Sequence, residues 1–417
     1  MAKIQTIFAR AILNSKGDYT IQAIAIDNNG TKIYTSIPAG TSTGTKEAIY
    51  TDTQTAITTI LTQLKKPFLD YINQNKSLKE FHDFLKTQDN SINKKKLGAN
   101  VFLVMENLYI KALAHINNTS LYKQVYTEAK KVAEPQIKMP TPLFNIINGG
   151  VHASNYIPFQ EFWIIPTGLP TISEQIYAGT KIYHTLKESL KKQGFSTLTG
   201  LEGGFAPILP QGVNQALDLI LDAIYKAGYK TGKEITLGID AAASEFTTIK
   251  GQEFFYKIYP DKDPISHSEY LKFWEQITSS YPIILVEDPL HEQTPLSLWA
   301  EFLEMLSLNV IDLIGDDLTV TNPQIFKNAL DHKAISGGIL KPNQVGSLIE
   351  TFESFNVLSK SHSVSIMSHR SGETNDSLIA DISVGLGTTY IKSGAPAHGE
   401  RVAKYNRLLE IDLQLAK

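Results

Sequence analysis

Six apolar runs in the second half of the chain each close on an ionisable residue: ITLGID at Asp240, IILVEDP at Glu287, LIGDD at Asp316, GGILKPNQ at Lys341, VSIMSHRSG at His369 and TYIKSG at Lys392. From the second onward the steps are 316−287 = 29, 341−316 = 25, 369−341 = 28 and 392−369 = 23 residues. Each step is the length of one strand plus one helix. Repeated in series, that spacing predicts a (β/α) barrel, in which reacting groups sit where parallel strands end. Three carboxylates followed by three basic groups on one rim predict a divalent-metal site facing an anion.

The 417 residues exceed one average domain and suit a barrel plus a smaller domain. The first 38 residues give three alternating runs, IQTIFARAIL, YTIQAIAID and KIYTSIP, the last two joined by the turn Asn28-Asn29-Gly30. Helical periodicity follows from about Gln54 to Tyr71 and from about Gly98 to His115. The run Lys94-Lys95-Lys96 reads as a solvated face, and the charged, Pro-bearing segment 130–141 as a junction. The division is therefore an α+β unit over 1–132 and a barrel over 133–417. The barrel segment opens with two strands and two helices, then six βα units. The class is α/β, a (β/α)8-type barrel of ββαα(βα)6 order behind an α+β N-terminal domain.

Charge and composition narrow the chemistry. A net charge of −3 recommends neither nucleic acid nor an acidic membrane as partner. Without cysteine there is no disulfide or thiolate chemistry, so carboxylate and imidazole remain as metal ligands. No basic-plus-apolar leader and no bilayer-length apolar stretch is seen, so a cytoplasmic protein is expected. Only four of the 39 basic residues are Arg, namely Arg10, Arg370, Arg401 and Arg407. An Arg kept against a Lys bias suggests planar, bidentate contacts.

A lone strand-end acid more often caps the next helix than binds metal. Asp240, Glu287 and Asp316 at barrel spacing instead suit Mg²⁺, an oxygen-seeking ion. Lys341 lies between Ile339-Leu340 and Pro342, where burial and nearby cations lower the pKa of a lysine base, although such a lysine also buries its stem and snorkels. Ser368-His369-Arg370-Ser371 joins imidazole, guanidinium and hydroxyl into an anion site. Glu202 stands among glycines in GLEGGFAP, a general acid or a solvated turn residue. Pro38–Gly44 and Asn148–His152 read as glycine-hinged loops able to close over a ligand.

The motifs PAGTSTG, FQEF, EGGFAP, GIDAAASEF, VEDP, GDDLTVTNP, LKPNQVGS, SHRSGET and IKSGAP…GERVAKYN run nearly end to end. On them the chain resembles the enolase family, which implies dehydration of 2-phosphoglycerate to phosphoenolpyruvate. Enolase-superfamily sites generally pair a Lys or His base with Mg²⁺, so this chemistry comes with the resemblance. By it, Asp240, Glu287 and Asp316 hold the first of two Mg²⁺ ions, Lys341 removes the C2 proton, and Glu202 protonates the departing hydroxyl with Glu161 as its partner. His152, Gln160, Arg370, Ser371 and Lys392 contact substrate, and Lys392 and His369, which belongs to the same cluster, also count as catalytic.

The chain departs from the family pattern at several points. Ala39 replaces a loop Ser that helps bind the second Mg²⁺, Leu201 replaces an Asp beside the acid, and GGSHAG reads GGVHAS. Gln22 and Glu410 replace charges associated with the family's homodimer contact. Two other readings stay open at this point: an enolase-fold binding protein with little turnover, and a related dehydratase or cycloisomerase.

Overall fold

The computed structural model describes residues 2–40, 44–153, 155–259 and 261–416. Strands β1 (Ile4–Leu13), β2 (Tyr19–Asp27) and β3 (Lys32–Ser36) form an antiparallel meander. Alternation sends one face of β2 inward, where Ile21, Ala23 and Ala25 are buried. The helix Ala99–Ile116 packs against β2 and β3, and 15 of its 18 residues are buried, which explains a sequence apolar on nearly every side.

The helix expected from Gln54 to Tyr71 is interrupted. An α segment Thr53–Thr59 passes through a π turn, Ile60–Leu64, into Lys65–Asn73. Pro67 supplies the reason: it has no N–H to donate and its ring crowds the carbonyl four residues back, so the ladder widens just before it. Helices Leu78–Gln88 and Leu121–Ala129 were not foreseen. Lys94 is corrected as well. It is buried, and its Nζ donates to Val345 O at 2.8 Å and to Glu350 Oε2 at 2.6 Å.

The second half is the barrel the spacing predicts. β4 (Thr141–Asn148) and β5 (Glu161–Ile165) precede two helices, Ile172–Lys192 and Gly212–Lys226, and then β6 (Thr236–Asp240). A small antiparallel sheet, β7 (Thr247–Lys250), β8 (Glu253–Tyr256) and β9 (Ile265–Ser266), is inserted after β6, where plain strand–helix alternation was expected. β10 (Ile283–Glu287), β11 (Asp312–Gly315), β12 (Gly337–Leu340), β13 (Val364–Ser368) and β14 (Tyr390–Lys392) complete the ring. Its order is β10-β11-β12-β13-β14-β4-β5-β6. Only β5 runs against its neighbours. Leu143, Trp163, Ile165, Leu285, Ile314, Ile339 and Ile366 fill the interior, so the barrel is a packed core and the site stands above it.

Candidate active site

The strand ends converge as their spacing requires. Asp240, Glu287 and Lys392 are the last residues of β6, β10 and β14, and Asp316, Lys341 and His369 each follow their strand by one residue. Glu161 arrives by the opposite route. It begins β5, and because β5 is antiparallel its first residue reaches the same rim, opposite Asp240 in register. No strand-ending pattern points to it; only the FQEF motif does.

One cleft is lined by Glu161, Glu202, Asp240, Asp288, Asp316 and Asp317 against Lys341, Arg370 and Lys392, with His152, Gln160, His369 and Ser371 on its walls. Six carboxylates thus face two lysines and one arginine. Lys392 Nζ contacts Glu161 at 3.1 Å, Asp240 at 3.1 Å and Glu287 at 2.9 Å, and lies 4.8 Å above the Trp163 ring at the cleft floor. Lys341 Nζ contacts Asp316 directly, and Gln344 Nε2 donates to the other Asp316 oxygen at 2.9 Å.

These contacts decide the protonation states. Burial raises Asp240 and raises Glu287 well above the carboxylate range, with mutual repulsion adding to it. Burial pushes Asp316 the same way, but Lys341 and Lys392 reverse it to about 2. Lys341 corrects the sequence expectation. Burial and the neighbouring Lys392 and Arg370 do pull its pKa down, yet the Asp316 and Glu287 carboxylates together outweigh them and the net shift is upward. Burial draws His152 down to about 4.

Two further carboxylates were not anticipated. Asp288 follows Glu287 and Asp317 follows Asp316; with Asp316 they bring ligand oxygens within 4.8 Å of one another. A second such group joins His152, Glu161 and Glu202. Asp288 also orders the rim, accepting from Asp316 N at 2.9 Å and Asp317 N at 2.7 Å. The signal was present in the doubled acids of VEDP and GDD. Asp240 and Glu287 share the cation of Lys392, while Asp316 is turned to Lys341.

Arg370 forks onto Glu47 at 3.1 and 3.0 Å and onto Asn343 at 2.9 Å. Gly40 passes so near that a Cβ there would lie 1.9 Å from Arg370 Nη2. Ala39 and Gly372 exchange backbone hydrogen bonds, at 2.8 and 2.9 Å, so the loop start is stitched to SHRSG and the Ala39 carbonyl already accepts one N–H. Thr41, Ser42 and Thr43, the middle of the expected Pro38–Gly44 lid, lie outside the described residues. Glu202 accepts from Asn145 Nδ2 at 3.0 Å and faces His152 Nδ1 at 3.6 Å and His369 Nε2 at 3.7 Å. Gln160 donates to Asp240 at 3.3 Å. Leu201 is part-exposed beside Leu198 and Ile208 in an adjoining groove.

Fold and site together define a barrel of the ββαα(βα)6 class whose mouth concentrates buried acid around two lysines. The chain belongs to the enolase family: residues 4–125 match the model of the enolase N-terminal domain and residues 136–417 that of the enolase C-terminal TIM barrel domain. No helix among the described residues is long and apolar enough to cross a membrane.

Proposed function

We propose that the chain catalyses the Mg²⁺-dependent, reversible dehydration of 2-phosphoglycerate to phosphoenolpyruvate, the hydro-lyase step of glycolysis and gluconeogenesis. One observation carries this reading. Lys341 follows β12, across the ring from β4 and β5, the strands that carry Glu161 and hold the Glu202 loop. A base and an acid on opposite walls suit an elimination in which proton and hydroxyl leave from adjacent carbons.

The donors present are of the kind Mg²⁺ takes, although among the described residues the all-carboxylate group whose oxygens lie within 4.8 Å of one another is Asp288, Asp316 and Asp317, which shares only Asp316 with the expected set. Asp240, Glu287 and Asp316 offer oxygen ligands, and the cleft holds more buried carboxylate than cation. When bound, Mg²⁺ supplies electrostatic stabilisation of the charge that builds on the substrate carboxylate. Arg370 and Ser371 receive the phosphate, and His152, Gln160 and Lys392 orient the rest of the substrate. Lys341 takes the C2 proton. The Asp316 contact holds Lys341 protonated, so Lys341 serves as a base only when Asp316 is engaged elsewhere. Glu202 passes a proton to the C3 hydroxyl, which departs as water, with Glu161 as its partner carboxylate and His369 beside it. The same reading places the chain in the cytoplasm, divides it near 132/133, and takes its assembly as a homodimer weakened at Gln22 and Glu410. Gln22 instead accepts from Arg10 at 2.9 Å and Glu410 pairs with Arg407 at 3.0 Å.

The test is the enolpyruvate absorbance with 2-phosphoglycerate. Absorbance should rise with millimolar Mg²⁺ and stay flat with a chelator. A folded protein that turns over nothing in either condition ends the proposal.

A further inference from the structure

Arg401 has no counterpart among the expected site residues, yet it is completely buried against the site. Its Nη1 lies 2.6 Å from His369 Nδ1 and donates to Arg370 O at 2.6 Å. Its Nη2 donates to Ser371 O at 2.7 Å and to Leu201 O at 3.1 Å. One guanidinium therefore ties the SHRS strand end to the loop carrying Glu202.

The His369 contact has a chemical consequence. A guanidinium only donates and does not lose its proton in proteins. The Nδ1 facing it must accept, so it carries no hydrogen, and in a neutral ring the hydrogen sits on Nε2. That Nε2 is buried without a hydrogen-bond partner among the described residues and faces Glu202 Oε1 at 3.7 Å. We propose that Arg401 is a positioning residue: it holds His369 as the neutral Nε2–H tautomer, so that His369 gives one fixed hydrogen bond into the cleft at Glu202 or the leaving hydroxyl and never carries a proton itself. Burial first, then Arg401, Lys392, Lys341 and Lys404, place the His369 pKa well below its ordinary value, with Glu202 the one carboxylate facing Nε2. The consequence for turnover rests on the dehydratase reading, whereas the tautomer does not.

Two-bond proton–nitrogen correlation on the full chain labelled with ¹⁵N-histidine reads the tautomer directly, His369 being the signal lost in His369→Gln. The expected pattern is a bare Nδ1 and a protonated Nε2, unchanged between roughly pH 5 and 8, the span in which an ordinary histidine titrates. An Nδ1–H pattern, or a midpoint inside that span, overturns the proposal.

Turnover supplies a second arm. In Arg401→Gln burial and the three lysines still hold the ring's pKa down, but loss of the guanidinium should let it rise toward the ordinary histidine range and give kcat an acid limb that follows it, which Arg401→Gln/His369→Gln should remove. A merely structural Arg401 would lower kcat equally at every pH, and that result counts against the proposal. Should Arg401→Gln not fold, His369→Gln decides. Its amide presents an acceptor to Arg401 and a donor to the cleft, so kcat/KM should fall by less than about ten-fold. A fall of about 10²–10⁴ would make His369 a proton carrier and overturn the idea. If no form turns over substrate, the dehydratase reading fails while the resonance pattern still settles the tautomer.

Discussion

At the seam between the N-terminal sheet and the barrel, Asp376 accepts from Lys111 Nζ at 2.7 and 2.8 Å, from Thr35 Oγ1 at 2.9 Å and from Ser36 N at 2.9 Å. Nearby, Glu106 meets His82 Nδ1 at 2.7 Å and accepts from Leu348 N at 2.6 Å. Each buried charge there has its own partner and a full set of hydrogen bonds. At the barrel mouth one ammonium, Lys392, is shared by Glu161, Asp240 and Glu287. The titration behaviour separates the seam from most of the mouth, Asp316 excepted, where burial is outweighed by Lys341 and the pKa falls to about 2. Burial raises the Asp376 carboxyl, but Lys111 and the backbone donors reverse the shift and its pKa is lowered. Asp240, Glu287 and Asp288 are all raised. Matched pairs hold two parts of a chain together. Crowded carboxylates are costly to the fold and worth keeping where a cation and an anionic substrate must be handled.

The largest effect that would sharpen this contrast is at the mouth. Lys341→Ala should abolish exchange of the substrate C2 proton with solvent and lower kcat by about 10²–10⁴, the ordinary worth of a positioned base. Glu202→Gln should block elimination to a similar extent yet leave that exchange measurable, because acid and base act on different atoms. Isotope exchange in water of altered deuterium content distinguishes them. Equal loss of exchange in both variants, with ligand still bound, would mean the roles are misassigned. Glu202→Gln should leave the denaturation midpoint nearly unchanged, whereas Lys341→Ala also takes the cation from buried Asp316 and should lower it.

The seam should behave in the opposite way. Lys111→Met leaves Asp376 buried without its cation and should cost about 3 kcal/mol of stability while kcat stays within two-fold of the parent, roughly speaking. Urea unfolding and steady-state rates check both halves. The pH dependence has a definite sign. Because the folded pKa of Asp376 is depressed below 3.8, its stabilisation is complete above that value and is lost as pH falls through the folded pKa. Acidification below about pH 4 should therefore narrow the stability gap between Lys111→Met and the parent. A constant gap across that window would show that the pair is not what stabilises the seam.

The sequence reached the mouth more easily than the seam, for physical reasons. A strand-end residue is placed by the period of the barrel, so Asp240, Glu287, Asp316, Lys341, His369 and Lys392 could be located from spacing alone. The direction of the Lys341 shift could not, since it depends on which carboxylate its ammonium touches. Lys94 looked like part of a solvated Lys run because a charge run carries no sign of the distant acid, Glu350, that one member meets. Glu47 was invisible for the same reason: its partner Arg370 lies 323 positions away. Arg401 was half legible. The scarcity of Arg singled out four positions, and two of them fork onto carboxylates: Arg370 onto Glu47, and Arg407 onto Asp381 at 2.9 and 2.7 Å. Arg401 forks onto carbonyls and an imidazole instead, which composition does not announce. The π turn before Pro67 and the sheet inserted after β6 were missed because periodicity registers a helix or a strand but not an irregular turn within one or a detour between two.

The smallest predicted effect lies where the lid meets the mouth. The three carboxylates proposed for the first metal owe nothing to residue 39. A second metal would depend on the substrate and on the loop that begins at Pro38, where Ala39 lacks the hydroxyl that the family resemblance implies at that position. The Ala39 carbonyl also accepts from Gly372 N at 2.9 Å, so part of its acceptor capacity is already used. Restoring one neutral oxygen should be worth about 1–2 kcal/mol, comparable with a hydrogen bond to a charged group, or about ten-fold in affinity. Ala39→Ser should then lower the Mg²⁺ concentration for half-maximal activity by up to about ten-fold. Metal-free stability should not change, because the backbone bridge to Gly372 does not involve the side chain. Mg²⁺ titration of activity beside urea unfolding with chelator reads both. An unchanged or higher half-activation point would assign the second site to other ligands, Asp317 and Asp288 being carboxylates at the rim with no assigned role.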